Sequence, residues 1–440
     1  MRTNRFDNKI FVERCESLRE NLINEKAGVL LFSGTEKARN HDVLHPFRVN
    51  SNFFYLTGFE EPESAFLYRP GAKFERVLFV RKKDPKMETW TGFRFGVDQA
   101  KKDFEMDAVY EIDDFSTKTP SLFAELSCIY YGLYQEKEFD ATVEEALNKA
   151  KIILGRSGRG IIDIKDPYPL IGEKRIIKSD FEIEMTRKAC ELSIEAHIEL
   201  MKTTKSGVNE RELHGLFYHQ ILKRGAAREA YPSIIASGHN ATTLHYEFND
   251  RDCLDGDMIL VDAGGEYNYY AADITRTYPV NGLFNKDQAR VYRKVLKIQK
   301  AAIEKIKPGA TLKKIGEEAS LELAELMIEE DLLTGNPEAL VASGEHKKYY
   351  PHGLGHWLGI DVHDAGQYEI NKEPRMLEPG MMFTIEPGLY IPLEDTSAPR
   401  ELRGLGIRIE DNLLVTKDGY ENMTAAMPKE IEDIEETMKG

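Results

Sequence analysis

The stretch GDMILVDAGGEYNYYAADITRTYPV, residues 256–280, holds two apolar runs on either side of a region of turn residues. Such runs are the local signature of a β-hairpin. Asp262 and Asp273 stand eleven positions apart in it, so an even number of residues separates them. A symmetric, unbulged hairpin turning between Tyr267 and Asn268 makes the two aspartates direct cross-strand partners, with Cβ atoms about 5 Å apart. Like charges there are destabilising unless something positive lies between them. Taken alone, the pair reads more readily as one turn residue and one solvated side chain.

Two further stretches change that balance. MFTIEPGLYI places Glu386 directly after an apolar run, and GIRIEDNLLV places Glu410 between Ile409 and an apolar continuation. Four carboxylates in apolar strands need partners, because desolvating an ion costs several kcal/mol. Only Arg276 and Arg408 are close to them in sequence. Two divalent cations supply the missing positive charge. An oxygen-rich set with one imidazole suits manganese, cobalt, zinc or iron better than copper.

The imidazole is sought in YYPHGLGHWLGIDVHD, residues 349–364, which carries His352, His356 and His363. Histidines four apart suggest two ligands on one helical turn, but Gly353, Gly355 and Gly359 sit among them. Glycine is a poor helix former. An irregular or extended segment is expected, with the three histidines in separate roles.

Helix signals frame these strands. Ser179 and Glu182, then Asn209 and Glu212, have capping-box spacing, and Gly225 is a plausible stop. Residues 287–333 carry two more helical patterns, broken at KPGAT. The order helices, strands, helices, strands reads as an α+β domain with two similar halves. Ahead of it, runs such as AGVLLFSG and RVLFVRK alternate with helical stretches such as DATVEEALNKAKIIL, which indicates an α/β domain. Breakers concentrate between Gly155 and Gly172, so the expected domains are 1–172 and 173–440.

At 440 residues the chain suits two domains. Its net charge of −16 argues against nucleic acid and against anionic membranes. No stretch is apolar enough to span a bilayer, and the N-terminus lacks the apolar core of a signal peptide. Cys15, Cys128, Cys190 and Cys253 are widely spaced, as in a reducing compartment. Cytoplasmic location is the expectation.

In order, Asp262, Asp273, His356, Glu386 and Glu410 resemble the dinuclear site of the pita-bread metallopeptidases, the group of methionine aminopeptidase, prolidase and aminopeptidase P. The stretch HDVLHPFRVNSNFFYLTGFEEPESAFLY, within the first 70 residues, resembles the N-terminal domain of aminopeptidase P. The resemblance implies two divalent metal ions, manganese first with cobalt or zinc as alternatives. It implies cleavage of the bond between an N-terminal residue and a following proline. Asp262 would bind one metal bidentately, Asp273 and Glu410 would bridge, and His356 and Glu386 would complete the second. Glu386 is also the candidate base.

His245 matches a histidine near the scissile bond, and His363 one that stabilises the carbonyl oxygen. His352 matches a histidine lining the proline pocket, and Tyr390 a residue close to the metals. Arg408 shares a strand face with Glu410 and is expected to orient the acids. Trp90 reads first as a core or interface aromatic, although relatives place a tryptophan from this region near a neighbouring subunit's active site. His239 and His346 are expected at the surface, and Tyr269 and Tyr270 as turn and packing aromatics. Partners implied are peptides with proline in second position and further copies of the chain, as a dimer or tetramer. Two rival readings are a prolidase restricted to dipeptides and a metal-free binding module on the same fold.

Overall fold

A computed structural model of the chain describes residues 4–156 and 163–439. The chain divides into two units, Met1–Lys174 and Arg175–Gly440. The helix Pro167–Ile176 runs through the breaker-rich stretch, and Gly158 and Gly160 of that stretch lie outside the described residues.

The first unit is built on a six-stranded mixed sheet. Its spatial order is Ala108–Glu111, Arg76–Val80, Ala65–Tyr68, Ala27–Phe32, Cys128–Tyr130 and Asp163–Lys165. The strand Ala65–Tyr68 runs antiparallel to both neighbours, and the outer pairs are parallel. Strands AGVLLF and RVLFV are buried almost throughout. Continuous burial of that kind requires cover on both faces. The amphipathic helix Lys137–Leu154 supplies part of it through Val143, Ala146 and Ala150.

The second unit repeats one pattern twice. Helices Asp180–Thr203 and Glu210–Lys223 precede the antiparallel strands Ile234–Ser237, Met258–Asp262 and Thr275–Pro279. Helices Lys286–Glu304 and Leu312–Glu329 precede Met382–Ile385, Asp411–Val415 and Tyr420–Asn422. The two halves share one arrangement, as the pita-bread resemblance implies. Both expected capping boxes form, at Ser179 with Glu182 and at Asn209 with Glu212. One apolar core joins the halves, with Leu213, Phe217, Val261 and Tyr292 buried beside Ile385, Ile409 and Leu413.

The register of the first hairpin differs from the symmetric expectation. Asn268 and Tyr269 both have positive φ, 48° and 76°, and form the two-residue turn. Left-handed residues at both central positions match the twist of the flanking strands. Tyr267 therefore pairs with Tyr270 and Asp262 with Thr275, not with Asp273. Asp273 lies two residues before Thr275, so it shares the face of Asp262 as a diagonal neighbour. Opposite Asp273, a Cβ on Gly264 would meet the Ala272 carbonyl oxygen at 1.8 Å, which only glycine avoids.

No helix forms across 349–364. The segment instead lies beside the strand Met382–Ile385. Thr384 N–H donates to His356 O at 2.9 Å, and Glu386 N–H donates to Leu354 O at 2.8 Å. A Cβ on Gly355 would stand 1.8 Å from Thr384 O, so this glycine allows the two backbones to approach.

Candidate metal centre

Three ligand-bearing side chains converge where the two strand sets meet. One ligand atom each from Asp273, His356 and Glu410 lies within 4.8 Å of the others. The His356 Nε2 is 3.3 Å from Asp273 Oδ2 and 3.4 Å from Glu386 Oε1. His356 Nδ1 lies 3.1 Å from the Trp357 carbonyl oxygen, to which it donates. A ring held through Nδ1–H turns Nε2 toward the acids, where it would ligate a cation that displaces its proton.

Asp262 joins the group through two donors. Tyr231 Oη donates to Asp262 Oδ1 at 2.7 Å, and Arg408 Nη2 to Oδ2 at 2.6 Å. Arg408 Nη1 also donates to Tyr390 Oη at 2.9 Å, and its Nε to Thr275 Oγ1 at 3.1 Å. Thr275 Oγ1 in turn donates to Glu410 Oε2 at 2.7 Å. One guanidinium thus holds Asp262 directly and reaches Glu410 through Thr275.

The charges are out of balance. Burial pushes the carboxyl of Asp262 up, with Arg408 opposing, and pushes Glu386 up to about 7. Burial and the neighbouring Asp273 hold Glu410 well above the ordinary carboxylate range. Burial also acts on Asp273, but the His356 ring outweighs it and leaves that carboxyl low. Burial disfavours a charged His356, yet Asp273 and Glu386 raise the ring to about 9. Glu410 Oε1 is buried without a hydrogen-bond partner. Four crowded carboxylates, one orphaned buried oxygen and an inward imidazole nitrogen form a donor set that fits divalent cations.

A cavity of about 450 Å³ opens onto these residues. Its walls include Pro232, Ile234, Leu244 and Val362, with His245, His352 and His363 around the acids. His352 Nε2 lies 2.7 Å from Tyr390 Oη, which extends the Arg408 chain to the cavity wall. Burial, reinforced by Arg408, pushes His352 down to about 4, so its ring is neutral. Burial and the neighbouring His356 also lower His363, whose ring centroid is 4.3 Å from that of His356.

All of the second-unit candidates therefore line the cavity or contact its walls. Trp90 belongs to the first unit, in the helix Pro85–Thr91, and is 84% exposed. That rules out a place in the core of this chain. His346, expected at the surface, is buried, with Nδ1 3.3 Å from Leu340 O. Tyr269 is in the turn and Tyr270 is fully buried, as their readings required. Sequence reasoning missed Tyr231 and Thr275. Thr275 was visible as a polar residue on the Asp273 face, whereas Tyr231 precedes its strand with no local signal.

The comparisons with known proteins agree with this geometry. A model described as metallopeptidase family M24 matches residues 184–417. Another, described as the aminopeptidase P N-terminal domain, matches residues 11–130. The Xaa-Pro aminopeptidase of Haemophilus influenzae is 41% identical over 413 residues, covering 94% of this chain and 93% of its own length. Human Xaa-Pro aminopeptidase 3 is 37% identical over 417 residues, covering 93% of this chain and 80% of its own. A zinc-substituted Escherichia coli aminopeptidase P in complex with product superposes with a TM-score of 0.94 at 34% identity, covering 99% of this chain and 98% of that one. The chain belongs to the M24 metallopeptidase family, with an aminopeptidase P N-terminal domain ahead of its pita-bread domain.

Proposed function

We propose that this chain is an Xaa-Pro aminopeptidase that hydrolyses the bond between an N-terminal residue and a following proline. The observation that carries the reading is the convergence of Asp273, His356 and Glu410, with Asp262 and Glu386 beside them, on a cavity about 450 Å³ in volume. In this reading Asp262, Asp273, His356, Glu386 and Glu410 would hold two divalent metal ions. Manganese is the first choice, and cobalt and zinc suit the same donors. When bound, the ions polarise the scissile carbonyl and make water acidic enough to attack near neutral pH.

The chain's own residues do the remaining work. Glu386 takes the proton that water loses and returns it to the proline nitrogen, which has no N–H in the substrate. His363 presents a ring N–H to the carbonyl oxygen as negative charge grows there. His245 meets the substrate near the scissile bond. Neutral His352, held by Tyr390 and through it by Arg408, forms the wall against the proline ring. The free amino terminus lies near the acids, which favour a cation.

We further infer a cytoplasmic homo-oligomer, a dimer or tetramer. Four cysteines, all buried and free of disulfides, support a reducing compartment. Among the described residues no helix is long and apolar enough to cross a membrane. The exposure of Trp90 supports a surface that a second copy covers, bringing the indole to substrate. Incubation with an Xaa-Pro-Xaa tripeptide tests the activity. Release of the free first residue is expected, whereas a dipeptide-restricted prolidase leaves the tripeptide intact. Loss of cleavage on metal removal separates both from a metal-free binding module.

A further inference from the structure

We propose that Glu210 is a positioning residue that sets the place of His245 at the reaction centre; this rests on the aminopeptidase reading above. Glu210 is the first residue of the helix Glu210–Lys223 and is fully buried. Its carboxylate touches no cavity wall and is absent from the metal centre. It instead collects five donors. Oε1 accepts from Ser237 N–H at 2.7 Å, Ser237 Oγ at 2.7 Å and Asn240 Nδ2 at 3.2 Å. Oε2 accepts from Tyr246 Oη at 2.8 Å and Arg251 N–H at 3.0 Å. The helix backbone adds Glu210 N–H donating to Arg251 O at 2.9 Å.

All four donor residues flank or belong to one loop, 238–251, whose inner side gives the cavity Leu244, His245 and Glu247. His245 is exposed, and among the described residues no group hydrogen-bonds its ring. The position of that imidazole therefore follows the backbone on either side of it. Tyr246, the next residue, is buried with its hydroxyl on Glu210. Asn249, at φ 45°, pins the far end through Ile235 N–H and Ser233 O at 2.8 Å each. The loop end at Asn249 is therefore fixed independently; around His245 the loop is held by packing of Ala241, Leu244 and Tyr246 against Ile234, Ala236 and Leu260, and by its hydrogen bonds to Glu210. A reacting group displaced by about 1 Å loses on the order of 100-fold in rate.

The experiment is a double-mutant cycle on the full-length, metal-loaded protein with an Xaa-Pro-Xaa tripeptide. Glu210→Gln turns one acceptor oxygen into an NH2 group facing Tyr246 and Arg251, or Ser237 and Asn240. It should lower kcat by about 10- to 100-fold with KM nearly unchanged and metal content equal to wild type. In a His245→Ala background the same change should cost less than about twofold. Hydrogen exchange should quicken in 238–251 and stay slow in 258–280. Tyr246→Phe, which removes a single donor, should show the same pattern more weakly and serves if Glu210→Gln does not fold. Additive losses in the cycle, or unchanged exchange in 238–251, would overturn the assignment. A wild-type protein that cleaves no Xaa-Pro peptide would refute the activity, and the exchange measurement would still decide the anchor.

Discussion

Arg408 Nη2 lies 2.6 Å from Asp262 Oδ2, and both side chains are buried. The same guanidinium reaches Tyr390 on the cavity wall and Thr275 beneath Glu410. One rigid fork therefore sets the spacing between the acids and the cavity wall at Tyr390 and His352. Lysine cannot reproduce three directed donors from one planar group. Arg408→Met should lower stability by about 3–5 kcal/mol, because it leaves Asp262 buried without its cation. Urea denaturation of the metal-free protein measures this. Arg408→Lys should recover part of that stability while remaining well below wild type in kcat/KM.

In the proposed mechanism His363 acts on charge that develops only during the reaction. Removing such a donor costs about 10²–10³ in kcat. His363→Ala should therefore lower kcat by that order and leave KM within a few-fold. Steady-state kinetics on one tripeptide separates the two parameters. A rise in KM alone would instead place the ring in ground-state binding.

Arg276 and Asp411 form a fully buried ion pair at 2.7 Å, directly behind the Glu410 strand position. Lys429, Gln299 and Thr424 also donate to Asp411. Burial opposes the charge on Asp411, but Arg276 and Lys429 outweigh it and hold the carboxyl far below its ordinary range. The folded state thus releases this proton more readily than the unfolded chain, whose carboxyl has a pKa of about 3.9. The resulting stability is fully present above that value and is lost as pH falls through the folded one. Asp364, held low against burial by Arg175 and Lys178, adds to the same trend. The gap in denaturant midpoint between wild type and Asp411→Asn should hold from pH 6 to about pH 4 and narrow as pH is lowered further. Asp411→Asn should cost about 3–5 kcal/mol at pH 7, since Arg276 then stays buried unpaired.

Removing metal should weaken the fold as well as the activity. A ligand bound only by the folded state stabilises it by about 2.7 kcal/mol at a concentration 100-fold above its Kd. Thermal melts with increasing manganese should therefore rise in Tm after chelation. In Glu410→Ala that rise should shrink, because one carboxylate of the candidate cluster is gone.

Much of this centre was legible because its signals are local. Acids inside apolar runs, capping boxes at Ser179 and Asn209, and glycines among the histidines each report on a few neighbouring residues. The hairpin register was harder. Its turn depends on Asn268 and Tyr269 both adopting left-handed backbone, and tyrosine does not advertise that. The error of one pair still left both aspartates on one face, so the acid cluster survived it. Tyr231 and Glu210 escaped notice for a different reason. Tyr231 reaches Asp262 across 31 positions, and Glu210 gathers donors from residues 27 to 41 positions away. Only the folded chain brings those together. His346 likewise looked like a surface residue, because its burial comes from neighbours such as Leu340 in a short helix.

The most direct test compares wild type with Asp262→Asn on an Xaa-Pro-Xaa-Xaa peptide, with products identified by mass spectrometry. Both proteins are stripped of metal and then assayed before and after manganese is restored. The expected products are one free N-terminal residue and one peptide beginning with proline, formed only by wild type with metal present. Cleavage by stripped wild type or equal cleavage by Asp262→Asn would contradict the proposed function, as would a cut at any other bond.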